Sequence, residues 1–99
     1  MSREGKAMCP FLGGSAVAMA SQIAEGYTLL SAVQLKRLSD SEMDQLQFEL
    51  EKLLRDLRGQ VLPADDVAGN QLKNRKISRV TNALQQLQVA RQQRARGRL

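Results

Sequence analysis

The stretch SDSEMDQLQFELEKLLRDLRG, residues 39–59, decides the fold. Its first four residues, Ser39-Asp40-Ser41-Glu42, have the pattern of a capping box: the Ser39 hydroxyl suits the Glu42 amide, and the Glu42 carboxylate reaches back to the Ser39 amide. Leu38 before the cap and Met43 after it are placed to form a hydrophobic staple. Asp40, Glu42 and Asp44 set negative charge against the positive end of a helix dipole, so a helix is expected to begin at Asp40. Within it Met43, Leu46, Leu50, Leu53 and Leu57 recur at steps of 3, 4, 3 and 4, an a/d seam widened by Leu54 at e. Gly59 offers the stop.

Moving toward the C-terminus, Gln60 to Asn70 reads as a loop, because Pro63, Asp65-Asp66 and Gly69-Asn70 are turn chemistry. Asp65 and Asp66 are adjacent, a spacing that does not put two metal ligands on one helix face, and solvation in the loop is their expected role. A second seam follows in Ile77, Val80, Leu84 and Leu87, with Ala83 and Ala90 beside it and glutamines on the outer faces. The pattern predicts an all-α chain with helices near 40–58 and 71–95. Together these form an antiparallel, coiled-coil-like hairpin over 40–95 with its loop at 60–70. Two helices of this length bury too little apolar surface to stand alone. A third helix from residues 15–37, or a second chain, is needed, and Leu29, Leu30, Val33 and Leu35 suit either purpose.

In the N-terminal third, Ala16, Ala20 and Ala24 recur at i, i+4 and i+8, and with Val17, Met19 and Ile23 they make a helix with a flat, small-residue side. That side packs either on the chain's own hairpin or on a second copy. In the second case Ala16, Ala20, Ala24, Leu29, Leu30 and Val33 form the interface. Pro10 and Gly13-Gly14 mark a frayed start over 1–14, Gly26 is a candidate break, and 96–99 is a basic tail, all within one domain, 1–99. The apolar run from Met8 to Ala20, ending in Ala18-Met19-Ala20, has some likeness to a secretory signal. Gly13, Gly14 and Ser15 interrupt it, Glu4 spoils its cationic leader, and a membrane span needs ~20 apolar residues. A lone Cys9 fits a reducing compartment, so the expected setting is cytoplasmic, without membrane contact.

Composition bears on chemistry mainly by exclusion. The chain of 99 residues has no His, no Trp and one Cys. A disulfide framework, a Cys/His zinc site, a Cys–His nucleophile and a Ser–His–Asp triad are thereby excluded within one chain. No enzyme, metal or cofactor is expected. The charge of +5 is unevenly spread. Residues 39–69 hold eight carboxylates against Lys52, Arg55 and Arg58, whereas residues 70–99 hold eight cations and no acid.

Antiparallel packing sets Asp40, Glu42 and Asp44 beside Arg91 and Arg94, a structural use for part of that basicity. At the other end Arg55 and Arg58 meet Lys73, Arg75, Lys76 and Arg79. With Lys73, Arg75 and Lys76 at a helix start, this cluster reads as an anion site. The tail Arg91, Arg94, Arg96 and Arg98 extends it. Aromatic residues are 3% of the chain, so any nucleic-acid contact would go to phosphates and not to stacked bases.

The run Leu35-Lys36-Arg37-Leu38-Ser39-Asp40-Ser41-Glu42, the leucine-rich helix ending at Leu57-Arg58, and Gly69-Asn70-Gln71-Leu72-Lys73-Asn74-Arg75 before a basic helix resemble the large-subunit ribosomal protein family numbered twenty-nine. The likeness covers residues 35–90. It implies a helical hairpin lying on ribosomal RNA without catalysis. The first 34 residues have no counterpart, no proline follows Asn74, and the second helix is richer in glutamine than the family's. Two functions are therefore expected: a non-enzymatic hairpin gripping RNA phosphates, or a coiled-coil adaptor that binds a partner protein, an acidic protein surface or a second copy.

Overall fold

The computed structural model describes residues 14–97, and every regular element among them is helical. Four α-helices follow in order: α1 (Ala16–Glu25), α2 (Ala32–Lys36), α3 (Asp40–Gly59) and α4 (Val67–Ala95). The all-α expectation holds. Residues 1–13 of the expected frayed segment, and Arg98, lie outside the described residues.

The capping box that opens α3 is formed. The Glu42 amide donates to Ser39 Oγ at 3.1 Å and the Ser39 amide to Glu42 Oε1 at 2.8 Å. Leu38 and Met43 are both buried in one core cluster, as a staple requires. The two long helices run antiparallel: Arg94 near the end of α4 reaches Asp40 at the start of α3, and Lys73 near the start of α4 reaches Gln60 after the end of α3.

The start of α4 departs from expectation. The helix begins at Val67, four residues before 71, and the loop shrinks to 60–66. Asp66, expected to be a solvated loop carboxylate, is the N-cap: its Oδ1 accepts the Gly69 amide at 2.9 Å. Asn70 Nδ2 donates to Pro63 O at 2.9 Å and to Asp66 O at 2.8 Å, tying the loop to the first turn. Gly69 and Asn70, which look like loop punctuation, are thus helical residues of a capped turn. A Cβ at Gly69 would meet Asp66 Cγ at 2.7 Å, so the missing side chain is what lets the carboxylate sit over the helix end.

The helix expected over 15–37 is two. Gly26 adopts φ 84° and ends α1, with its amide on Ile23 O at 3.1 Å and the Tyr27 amide on Gln22 O at 3.0 Å, a Schellman closure. The chain then turns and restarts at a second capping box, in which Gln34 N donates to Ser31 Oγ at 3.3 Å and Ser31 N to Gln34 Oε1 at 3.0 Å. The Ser31-Ala32-Val33-Gln34 pattern was legible in the sequence and marks a helix start inside the expected long helix.

α1 packs on both α3 and α4. It supplies Met19, Ala20, Ile23 and Ala24 to the core, the return past α2 adds Leu30, Leu35 and Leu38, and the hairpin adds Met43, Leu46, Leu50, Val80, Ala83, Leu87 and Ala90. This corrects the interface expectation for Ala16, Ala20, Ala24 and Leu30. All four are buried within the one chain, because alanines let α1 approach the hairpin closely; Leu29 and Val33 stay exposed at 79% and 68%.

Candidate binding surface

The basic residues singled out from the sequence divide into two groups. Arg79 Nη1 donates to Ala24 O at 3.0 Å, at the C-terminal end of α1. Its guanidinium lies so close under Gly26 that a Cβ there would meet Cζ at 2.8 Å. Lys76 Nζ pairs with Glu25 Oε2 at 3.1 Å. One turn of α4 thus places two cations on the negative end of α1. Arg94 does the same for α2, donating to Leu38 O at 2.6 Å and Leu35 O at 3.2 Å while pairing with Asp40 at 3.2 Å. Arg91 joins Asp44 and Gln47 on α3. Lys73 Nζ donates to Gln60 O at 2.6 Å, just beyond α3. The complementarity expected between Asp40, Asp44 and Arg91, Arg94 is present, and Glu42 is held in its own capping box.

Lys73, Lys76, Arg79, Arg91 and Arg94 are therefore occupied inside the chain. The helix-start anion site is also corrected. Lys73, Arg75 and Lys76 sit beyond the first turn of α4, and Asp66 already holds an amide of that turn. The second group is Arg55, Arg58, Arg75 and Arg96, all exposed and with no ion pair or side-chain hydrogen bond. Arg55 and Arg58 line a shallow groove on α3 with Glu51 and Leu54. Arg75 is across the hairpin on α4, and Arg96 is at the far end.

Between the free arginines the seam itself is open. Leu53, Leu54, Leu57 and Ile77 are half-buried, and Leu72 is 46% exposed. Val61 and Val67 at the loop are exposed as well. This arm, Leu54 to Ile77, combines partly exposed leucines with three unpaired guanidiniums, Arg55, Arg58 and Arg75. Sequence reasoning found the cations but missed the leucines, because a seam pattern does not say how far a third helix will cover it. It also missed Phe48, 59% exposed beside Val17 across the α1–α3 groove. The signal was available, since Phe48 falls on the polar face of the α3 wheel.

Among the described residues no group of three His, Cys, Asp or Glu is placed to hold a metal ion, no polar side chain is buried, and no helix is long and apolar enough to cross a membrane. The described residues form an all-α hairpin whose loop end is only partly covered. Comparison with family models, with curated proteins and with solved structures gives no match to this chain.

Proposed function

We propose that this chain is a non-enzymatic adaptor that captures an acidic amphipathic helix of a partner protein on the arm of its hairpin. The observation that carries the reading is the continuation of the leucine seam past the last residue that α1 covers. Leu57 and Leu72 keep the spacing of the core, half-buried and 46% exposed, beyond the groove in which Leu53 still lies beside Val17 and Ala20 of α1. A partner helix laid along the arm would fill the place α1 fills elsewhere, as helix-in-groove recognition does. Arg55, Arg58 and Arg75 favour carboxylates on its flanks. The cytoplasmic expectation goes with this reading and rests on the single cysteine.

The same free arginines, with Arg96, favour a second reading, phosphate contact on RNA of the kind the ribosomal-family resemblance implies. The test uses labelled helical peptides, one with leucines at a and d and glutamates outside, one with lysines outside, and a uridine homopolymer, measured by fluorescence anisotropy. The adaptor reading expects the glutamate peptide to bind best, Leu72→Glu to remove binding, and added salt to weaken it only slightly. Homopolymer binding that falls by roughly 0.7 log units per tenfold salt for each phosphate contacted, is lost in Arg58→Glu/Arg75→Glu and is indifferent to Leu72→Glu, would establish the RNA reading instead.

A further inference from the structure

Two recesses between α1 and α3, of about 500 and 270 Å³, share Val17 and Glu49 and so form one continuous groove. It opens at Ser15, Asp44 and Phe48 and runs on to Ser21, Leu53 and Asp56. Its two ends differ in chemistry. At the mouth Val17 and Phe48 stand 60% and 59% exposed, side by side. Asp44, also at the mouth, is already paired with Arg91. Toward the far end Glu49, Lys52 and Asp56 have no ion pair or side-chain hydrogen bond among the described residues. Glu49 and Asp56 are two turns apart on α3, roughly 10 Å.

We propose that the chain's own residues 1–13 fold back along this groove and cover it. They join the described structure at its mouth, since Gly14 leads directly into Ser15, which lines the groove and caps α1. Gly14 has φ 89°, a conformation that costs glycine little, so the backbone can reverse there. Residue order then matches the groove. Met8, Phe11 and Leu12, nearest the turn in sequence, meet the apolar mouth at Val17 and Phe48. Arg3, Glu4 and Lys6 lie farther out, two cations and a carboxylate for Glu49, Asp56 and Lys52. An extended Arg3-to-Lys6 stretch spans roughly 10 Å, the separation of those two carboxylates. The whole segment reaches about 40 Å when extended, against ~18 Å along α3 from Asp44 to Asp56, so length does not limit it. The tether also holds it at an effective concentration on the order of millimolar, ahead of any foreign peptide. The inference does not rest on the adaptor reading.

Cys9 is the single cysteine of the chain, so a nitroxide attached to it reports where the segment lies in the full-length protein. Paramagnetic broadening of amide signals in NMR spectra is expected at Glu49, Lys52 and Asp56, and not at Asn82 or Gln86 in the groove between α2 and α4. Phe48→Glu and Glu49→Lys/Asp56→Lys, none of them at a core position, are each expected to abolish that broadening with helicity by circular dichroism unchanged. Without a label, Phe11→Ser/Leu12→Ser is expected to move the amide signals of Phe48 and Lys52, which serves if the nitroxide itself disturbs docking. Broadening at Lys52 and Asp56 that persists in both groove variants overturns the proposal, as does its absence from the parent together with unmoved signals in Phe11→Ser/Leu12→Ser. Broadening that passes to isotope-labelled copies lacking the nitroxide, in a mixture with nitroxide-bearing ones, also overturns it, because the occupant is then a second copy.

Discussion

At the end of the hairpin covered by α1 and α2, Met43, Leu46 and Leu50 of α3 are fully shielded together with Val80 and Leu87 of α4. At the other end Leu54 and Leu57 continue the same spacing on the same helix and remain half-buried, opposite a half-buried Ile77. The leucine is the same residue in both places; the third helix is the difference. Two helices bury the stripe between them, and only a third element closes the edges of that stripe. The cations follow the same division. Where α1 and α2 end, Lys76, Arg79 and Arg94 are drawn onto their C-terminal carbonyls and carboxylates; on the arm, with no helix end to cap, Arg55, Arg58 and Arg75 stay in solvent.

The contrast is sharpest for large-to-small substitution. Leu50→Ala is expected to cost about 2–5 kcal/mol, the range for a truncated buried leucine. Leu57→Ala on the arm is expected to cost about half of that or less, since much of its side chain is already in water. Urea denaturation of both variants measures the difference, and equal losses would show that the arm is as well covered as the core.

The arginines should divide the same way on a smaller scale. Arg94→Ala removes charge-assisted hydrogen bonds to Leu38 O and Leu35 O and is expected to destabilise by about 1.5–3 kcal/mol. Arg75→Ala has no such partner and should stay within about 0.5 kcal/mol of the parent. If thermal melts rank Arg75→Ala as the more damaging, the assignment of structural and free cations is wrong.

The smallest effect concerns the loop at the tip of the arm. Asp66→Ala is expected to cost ~1 kcal/mol through loss of the cap on Gly69 N. Amide exchange at Val67 to Asn70 should quicken, while Val80 and its neighbours in the core are unaffected. Uniform acceleration along α4 would mean that arm and core unfold as one unit.

Much of the hairpin was legible because its signals are local. Ser39 and Glu42 cap a helix whatever surrounds them, and the steps from Met43 to Leu57 select one face by helical geometry alone. Asp66 and Gly69 were misjudged because each is a turn residue by preference and became a cap by position. The Ser31–Gln34 box was present in the sequence but hidden within a longer apolar pattern.

Residue order by itself determined the Ser39 capping box, the seam and the pairing of Asp40 and Asp44 with Arg91 and Arg94, since each depends on residues one or two turns apart or on antiparallel alignment. Only the tertiary structure decided which alanine face was spent within the chain, where coverage of the seam stops, and which cations are free. Those outcomes depend on where α1 ends against two other helices, and that place is set by the Gly26 turn together with the close approach of Arg79, residues 53 positions apart in the chain.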